Sequence, residues 1–489
     1  MATVTIKRSG NVLSIQGVPE NLQPLITGEL TYVHRTTHAG MDAVYHGPVE
    51  REERELFRIV DGAILTTQGA QQLVTGVLTK RGVEVVFQDL RKVTTLEPDY
   101  QHLQSCMPEL EFRLKQSEIL AYLIGSNSGI IVAPTAYGKT FIMLALTALY
   151  PDANIIIASP GAALLDSTYK RMIKISNNVG RVGGGHKDPQ RVTLTTMQSL
   201  MHAPIAKCDI LLIDEVHRIA APTYSRDVAK IRNAVKIFGM TATPTGRADG
   251  ADLVSEVLIG PVIYNIEYEE AAKAGLVSDI KVGLVSLPRG SMPTVKDRVS
   301  GRVPRKRWAY WRNDLRNQKF ASALQQVIDS KEMGEDPQTL MLTETLEHAL
   351  RLHQLLPDHT VVYGTMDRQT MVKMQAKGLL PEGYKKLTPK DKTRLLSQFE
   401  TGELRHVIST GCWGEGVDFV YLDVVVNTAG SPSSIINTQW SGRNSRIHDG
   451  KSHGLIIDCD DKWDMWTRGR ATSRFRTYKD KGWEVYDIV

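Results

Sequence analysis

The run Ile130-Ile131-Val132-Ala133-Pro134-Thr135-Ala136-Tyr137-Gly138-Lys139-Thr140 constrains the chain more than any other. Its apolar start predicts a buried parallel strand, and Phe141-Ile142-Met143-Leu144-Ala145-Leu146 predicts a helix after the turn. Backbone N–H groups at a helix N-terminus can cradle a triphosphate. Pro134, Thr135, Ala136, Tyr137 and Gly138 then line the turn, Lys139 reaches the β- and γ-phosphates, and the Thr140 hydroxyl ligates Mg²⁺. The pattern G-x-x-x-x-G-K-[ST] is incomplete, since Ala133 fills its first glycine slot and Gly138 alone is conformationally permissive. By itself the stretch also fits a plain strand-turn-helix with an exposed lysine.

A second apolar run, Ile210-Leu211-Leu212-Ile213, ends in Asp214-Glu215-Val216-His217. Two adjacent carboxylates at the end of a buried strand are costly unless a cation and a reacting water sit there. Asp214 is expected to hold Mg²⁺ through water, and Glu215 to polarise the attacking water. The two motifs together predict ATP hydrolysis.

With 489 residues the chain is too long for one core, and two to four domains are expected. Hydrophobic residues at 42% and charged residues at 23% are globular values, which argues against a mostly disordered protein. A net charge of +5 is compatible with a polyanionic partner without deciding for one. Cys106, Cys208, Cys412 and Cys459 are widely spaced and form no C-x-x-C, so neither a zinc site nor a disulfide framework is expected. The N-terminus lacks an apolar signal core and no run is long enough to span a membrane. A cytoplasmic protein is expected.

Residues 1–95 read as a small α+β module. Val4-Thr5-Ile6 and Val12-Leu13-Ser14-Ile15 form a hairpin around Ser9-Gly10-Asn11, Gln71–Leu78 a helix and Val83–Phe87 a strand. The module carries no catalytic constellation, and either docks DNA or another partner or is structural support. After a polar linker, Glu111–Gln116 opens a helix. There Gln116 suits the N6/N7 edge of adenine and the Arg113 plane can stack on the base; a solvated helix start is the alternative.

Alternating strands and helices over residues 105–270 predict a parallel sheet with helices on both faces, the ATP-binding domain. Small polar residues at strand ends, Ser159 with Pro160, and Thr196 with Gln198, can bind a sugar-phosphate backbone without reading bases. Residues 271–320 are expected to be a basic connector. From 289 to 319 it holds ten Lys and Arg, including Arg305 and Arg307, around Trp308, Tyr310 and Trp311, with only Asp297 and Asp314 as acids. Such a segment predicts salt-sensitive, sequence-independent nucleic-acid binding with aromatic stacking; a basic helix anchored by core tryptophans is the alternative.

A second α/β domain is expected over 321–489, with a strand His406–Ser409 leading into Thr410, and a basic aromatic tail that either packs on it or touches DNA. No complete phosphate loop recurs there. Gln439, Arg443 and Arg446 are spaced by four and three, on one helical face. Two guanidinium groups reaching the γ-phosphate across a cleft would act as arginine fingers, typically worth roughly 10³–10⁵ in rate, and would tie hydrolysis to domain closure. A surface Arg pair bridging to acids is the alternative.

This ordered set, spanning roughly 110–455, resembles the superfamily-two helicases and translocases of the DExH type. Gln116 matches the adenine-reading glutamine, Gly138-Lys139-Thr140 the first motif and Asp214-Glu215-Val216-His217 the second. Thr241-Ala242-Thr243 matches the motif coupling hydrolysis to nucleic acid, Gly414-Glu415-Gly416-Val417-Asp418 the fifth and Gln439-x-x-Gly442-Arg443-x-x-Arg446 the sixth. The resemblance implies two tandem RecA-like domains, ATP and Mg²⁺ as cofactors, nucleotide contacts at Gly416, Asp418 and Gln439, and coupling through His217, Thr241 and Thr243. Thr410 would touch nucleic acid. The N-terminal module and Arg247-Ala248-Asp249 resemble the XPB-like branch. With Gly183-Gly184-Gly185, the whole is similar to the UvsW-type branch-migration helicases of bacteriophages.

That likeness implies translocation on duplex DNA and remodelling of forks, Holliday junctions or D-loops by a monomer, with recombination or replication proteins as further partners. Two other readings stay open: an RNA helicase, and a nucleotide-gated scaffold with weak ATPase. Three positions depart from the family. Ala136 stands where Gly is usual, tolerable if φ there is negative; Ala248 replaces a middle acid; Trp440 lies within the sixth motif.

Overall fold

The computed structural model describes residues 2–36, 50–91, 95–243, 250–288, 306–413, 419–431, 442–448, 450–463 and 465–488. They fall into two compact units, which meet in sequence at Ile266 and Glu267.

In the first unit the N-terminal module is a five-stranded sheet in the order Arg58–Val60, Ala63–Thr67, Val12–Gln16, Thr3–Ser9, Glu84–Asp89, with only the last pair parallel. Alternation drives it. Val4, Ile6, Leu13, Ile15 and Ile64 point to one face, where Ile26, Val74 and Leu78 from the helices Gln23–Glu29 and Gln71–Thr79 cover them. Val257, from the helix Asp252–Ile259, belongs to the same core. The module therefore packs into one unit with the sheet that follows.

That sheet runs His186–Asp188, Val179–Gly183, Val192–Thr196, Ile155–Ser159, Ile210–Asp214, Lys236–Thr241, Ser128–Val132, Val262–Asn265, parallel except for its first strand. Its four central strands are buried at every position, as a sheet covered on both faces requires. Register sets Thr241 beside Val132 and Asp214 beside Met240, which gathers both motif-bearing strand ends along one edge. Two local expectations change. A short helix, Tyr100–Cys106, capped by Asp99, occupies the expected polar linker. The next helix starts at Gln116 rather than Glu111, because Lys115 takes a left-handed φ of 53°.

The second unit holds a seven-stranded parallel sheet in the order Thr360–Val362, His406–Thr410, Gln338–Thr343, Leu422–Asn427, Gly454–Cys459, Ile280–Val285, Glu484–Asp487. Residues 271–320, expected as a connector, thus supply an interior strand at 280–285; they also hold a π-helical turn, Arg307–Trp311, and the start of the helix Asp314–Ser330. The basic run before residue 306 lies outside the described residues. The tail packs on this sheet as the helix Met465–Asp480: buried Arg474 bonds Asp458 and Asp461, and Asp461 also binds Arg316. The fold is thus two RecA-like parallel-sheet domains with a small N-terminal α+β domain. Among the described residues no helix is long and apolar enough to cross a membrane.

Candidate nucleotide and nucleic-acid site

The phosphate-loop strand ends at Val132, and the N–H of the next residue, Ala133, bonds Thr241 O at 3.0 Å and so ties the loop to the neighbouring strand. Gly138, at φ 106°, starts the helix Lys139–Leu149 without a side-chain cap, leaving the first-turn N–H groups to whatever binds there. Lys139 Nζ donates to Ala133 O at 3.1 Å and Pro134 O at 3.2 Å, using two of its three N–H donors. Thr140 follows in the first turn, half-buried. Ala136 is the departure: its φ is 72°, not negative as the sequence reading required, so this alanine sits in the region that favours glycine.

The Tyr137 ring is buried and its hydroxyl bonds Leu114 O, so the side chain faces the core while the backbone forms part of the loop. Gln116 is buried too: its Nε2 donates to Tyr137 O and its Oε1 accepts from Arg113 N, each at 3.0 Å. One N–H and one lone pair of this amide therefore brace the loop. A Cβ at Gly138 would lie 2.8 Å from Gln116 Nε2, a second reason for glycine there. The Arg113 side chain is exposed.

Asp214 is buried at its strand end and accepts from Glu215 N at 3.0 Å. Burial, then the charge of Glu215, raise its pKa to about 7, against the pull of Lys139 and of that N–H. Glu215 has a left-handed φ of 52°, and its Oε2 is buried with no hydrogen-bond partner among the described residues, 3.4 Å from His217 Nδ1. Backbone strain plus an orphaned carboxylate oxygen marks a functional position. His217 Nδ1 lies 3.0 Å from Thr241 Oγ1, and Thr241 Oγ1 exchanges bonds with Thr243 at 3.1 and 3.2 Å. No group of three or more His, Cys, Asp or Glu among the described residues could hold a metal. One buried carboxylate, a threonine hydroxyl and an orphaned acid suit instead Mg²⁺, which takes few protein ligands and fills the rest with phosphates and water.

The expected nucleic-acid residues separate by burial. Ser159 and Thr196 are buried, with Ser159 Oγ unpartnered among the described residues; Pro160 is half-buried and Gln198 exposed. The turn Gly183-Gly184-Gly185, positive in φ throughout, packs so closely that a Cβ at Gly183 would lie 2.7 Å from both Thr196 Oγ1 and Ser199 Oγ. In the second unit Thr410 is half-buried and donates to Cys412 Sγ at 3.5 Å.

Trp308 is not an open stacking platform, since its indole N–H is buried and Arg312 lies 4.9 Å over its ring. Arg312 in turn pairs with Glu347 at 2.5 Å, and Lys306 with Glu344 at 2.6 Å. Burial acts against the Glu347 charge, yet hydrogen bonds from Arg312 and Lys377 hold its pKa at about 2. Arg307, half-buried, lies 5.9 Å from the Trp311 ring. Gly442–Ser445 is a 3₁₀ turn bent at Asn444 (φ −89°, ψ 15°), so the helical face expected for Arg443 and Arg446 does not continue through it. Arg305, Gly416, Asp418, Gln439 and the Arg443 side chain lie outside the described residues, as do Arg247-Ala248-Asp249 and Trp440.

Residues 109–246 match the family described as type III restriction enzyme, res subunit, and residues 320–448 the helicase conserved C-terminal domain. The DNA 3′-5′ translocase XPB2 of Sulfurisphaera tokodaii is 26% identical over 389 residues, 75% of this chain and 84% of that protein. A putative HsdR subunit fragment of a type I restriction enzyme from Vibrio vulnificus shares the fold at TM-score 0.54 and 17% identity, covering 90% of this chain and 76% of that one. The structure of T4 UvsW aligns along the whole of both chains at 14% identity and a TM-score of 0.41. The chain is an ATP-dependent helicase with two RecA-like domains, similar to the XPB proteins among the superfamily-two helicases and translocases.

Proposed function

We propose that the protein hydrolyses Mg²⁺-ATP to translocate on duplex DNA and remodel branched DNA such as forks, Holliday junctions and D-loops. The observation that carries the motor reading is the chain Glu215–His217–Thr241–Thr243, in which the candidate catalytic acid contacts the neighbouring strand end through one imidazole. Arg113 and Gln116 hold the base, while Pro134 to Gly138 and Lys139 hold the phosphates. Thr140 and Asp214 would hold Mg²⁺, which would supply neutralisation of phosphate charge. Glu215 orients the attacking water. Arg443 and Arg446 stabilise the charge in transfer, with Gly416, Asp418 and Gln439 supporting the nucleotide.

Pro160, Gln198, Arg305, Arg307 and Thr410 track the DNA backbone, which makes binding independent of sequence. The XPB2 relative, a named DNA translocase, supports DNA as the track. The test compares wild type with Glu215→Gln and Lys139→Ala in ATP turnover and four-way-junction unwinding. Losing a positioned acid–base group costs roughly 10²–10⁴-fold, so both variants are expected to lose turnover at least a hundredfold and all unwinding. Equal turnover in wild type and Glu215→Gln would refute the motor; turnover without junction unwinding would refute the branch-remodelling role.

A further inference from the structure

The arginine-bearing turn Gly442–Ser445 follows the strand Leu422–Asn427 in sequence, yet it is held at that strand's N-terminal end. Asn444, fully buried, donates through Nδ2 to Leu455 O at 2.9 Å and Asp423 O at 3.4 Å. Gly454 leaves room for it, since a Cβ there would lie 2.7 Å from Asn444 O. Ser445 O accepts from Ser278 N at 2.7 Å.

A further tie is a lysine. Lys451 Nζ donates to Asn444 O at 2.5 Å and Leu422 O at 2.6 Å, joining the turn to the first residue of the strand. Beside it His448 Nε2 lies 2.8 Å from Asp423 Oδ1. Burial lowers the Lys451 pKa to about 8, with Asp423 opposing. A half-buried ammonium spent on two backbone carbonyls is an expensive way to fix a loop, unless the position of that loop matters.

We propose that Lys451 is a positioning residue for ATP hydrolysis: by bridging Leu422 O and Asn444 O it fixes where Arg446, two residues beyond Asn444, presents its guanidinium. The proposal rests on the catalytic role given above to Arg446. Nothing in it requires Lys451 to touch nucleotide.

The experiment measures single-turnover ATP hydrolysis with duplex DNA, the affinity of a fluorescent ATP analogue, and thermal melting, all on the full chain. The proteins are wild type, Lys451→Met, Lys451→Gln, Arg446→Lys and the two Lys451 variants combined with Arg446→Lys. Lys451→Met is expected to slow hydrolysis about tenfold while nucleotide affinity changes less than threefold. Lys451→Gln, whose shorter amide reaches one carbonyl, is expected to slow it about threefold, which preserves the test if Lys451→Met does not fold. In the Arg446→Lys background neither variant is expected to slow the reaction further. Equal slowing in both backgrounds, or none in wild type, overturns the positioning role alone. Wild-type hydrolysis by Arg446→Lys overturns the role of Arg446 and this inference with it.

Discussion

Ala136 is the residue whose conformation runs most plainly against its identity. A left-handed φ of 72° costs alanine about 1 kcal/mol or more relative to glycine, in the loop that must wrap a triphosphate. Ala136→Gly is therefore expected to stabilise the chain by about 0.5–1 kcal/mol in urea unfolding. An unchanged or lower stability would contradict the strain.

Lys236 gives a second expectation at the same scale. Its buried ammonium donates to Leu123 O, Ile124 O and Ser126 O at 2.7–3.1 Å, closing the end of the helix Gln116–Gly125, and burial lowers its pKa to about 8. The folded value lies below the unfolded value near 10.5, so between them the unfolded chain binds more protons. Stability from this group is full above about pH 10.5 and is lost as pH falls through about 8, a change on the order of 3 kcal/mol. Lys236→Met should remove that part of the pH slope in urea unfolding. Identical slopes would contradict it.

Among elements, the helix Asp252–Ile259 does the most joining. It gives Val257 to the N-terminal core, and its Ser255 Oγ bonds Val216 O of the DExH segment at 3.4 Å. Gly69 lets the N-terminal module come this close: a Cβ there would meet Glu256 O at 2.2 Å, Gly260 N at 2.6 Å and Val257 O at 2.7 Å, all backbone. Gly69→Ala is expected to destabilise the chain by roughly 1–3 kcal/mol and to make the N-terminal module protease-sensitive. Unchanged melting and digestion would show that the contact yields freely.

The same elements show what the sequence reveals. Ile155–Ser159 and Ile210–Asp214 were legible because strands buried on both faces leave unbroken apolar runs, and the Asp214-Glu215 end stood out because carboxylates there are costly. Ile280–Val285 was masked by the basic stretch that follows it, whose charge dominates any reading of the region. Lys236 and Lys451 were missed because a lysine that donates to distant carbonyls looks, in sequence, like any surface lysine. The inward turn of Tyr137 and the burial of Ser159 likewise depend on contacts with remote segments.

At the scale of the whole molecule, the two RecA-like domains divide the work. The first carries the phosphate loop, the Asp214-Glu215 pair and its link to Thr241, and the second carries the arginine-bearing turn and the charged core around Asp461. The proposed DNA motor requires that nucleic acid drive hydrolysis. The most direct measurement is steady-state ATP turnover with no nucleic acid, single-stranded DNA, duplex DNA, a four-way junction and structured RNA, at two salt concentrations. Duplex or junction DNA is predicted to stimulate turnover strongly, less at high salt, and not at all in Lys139→Ala. Stimulation by RNA alone, or by nothing, would contradict the DNA motor.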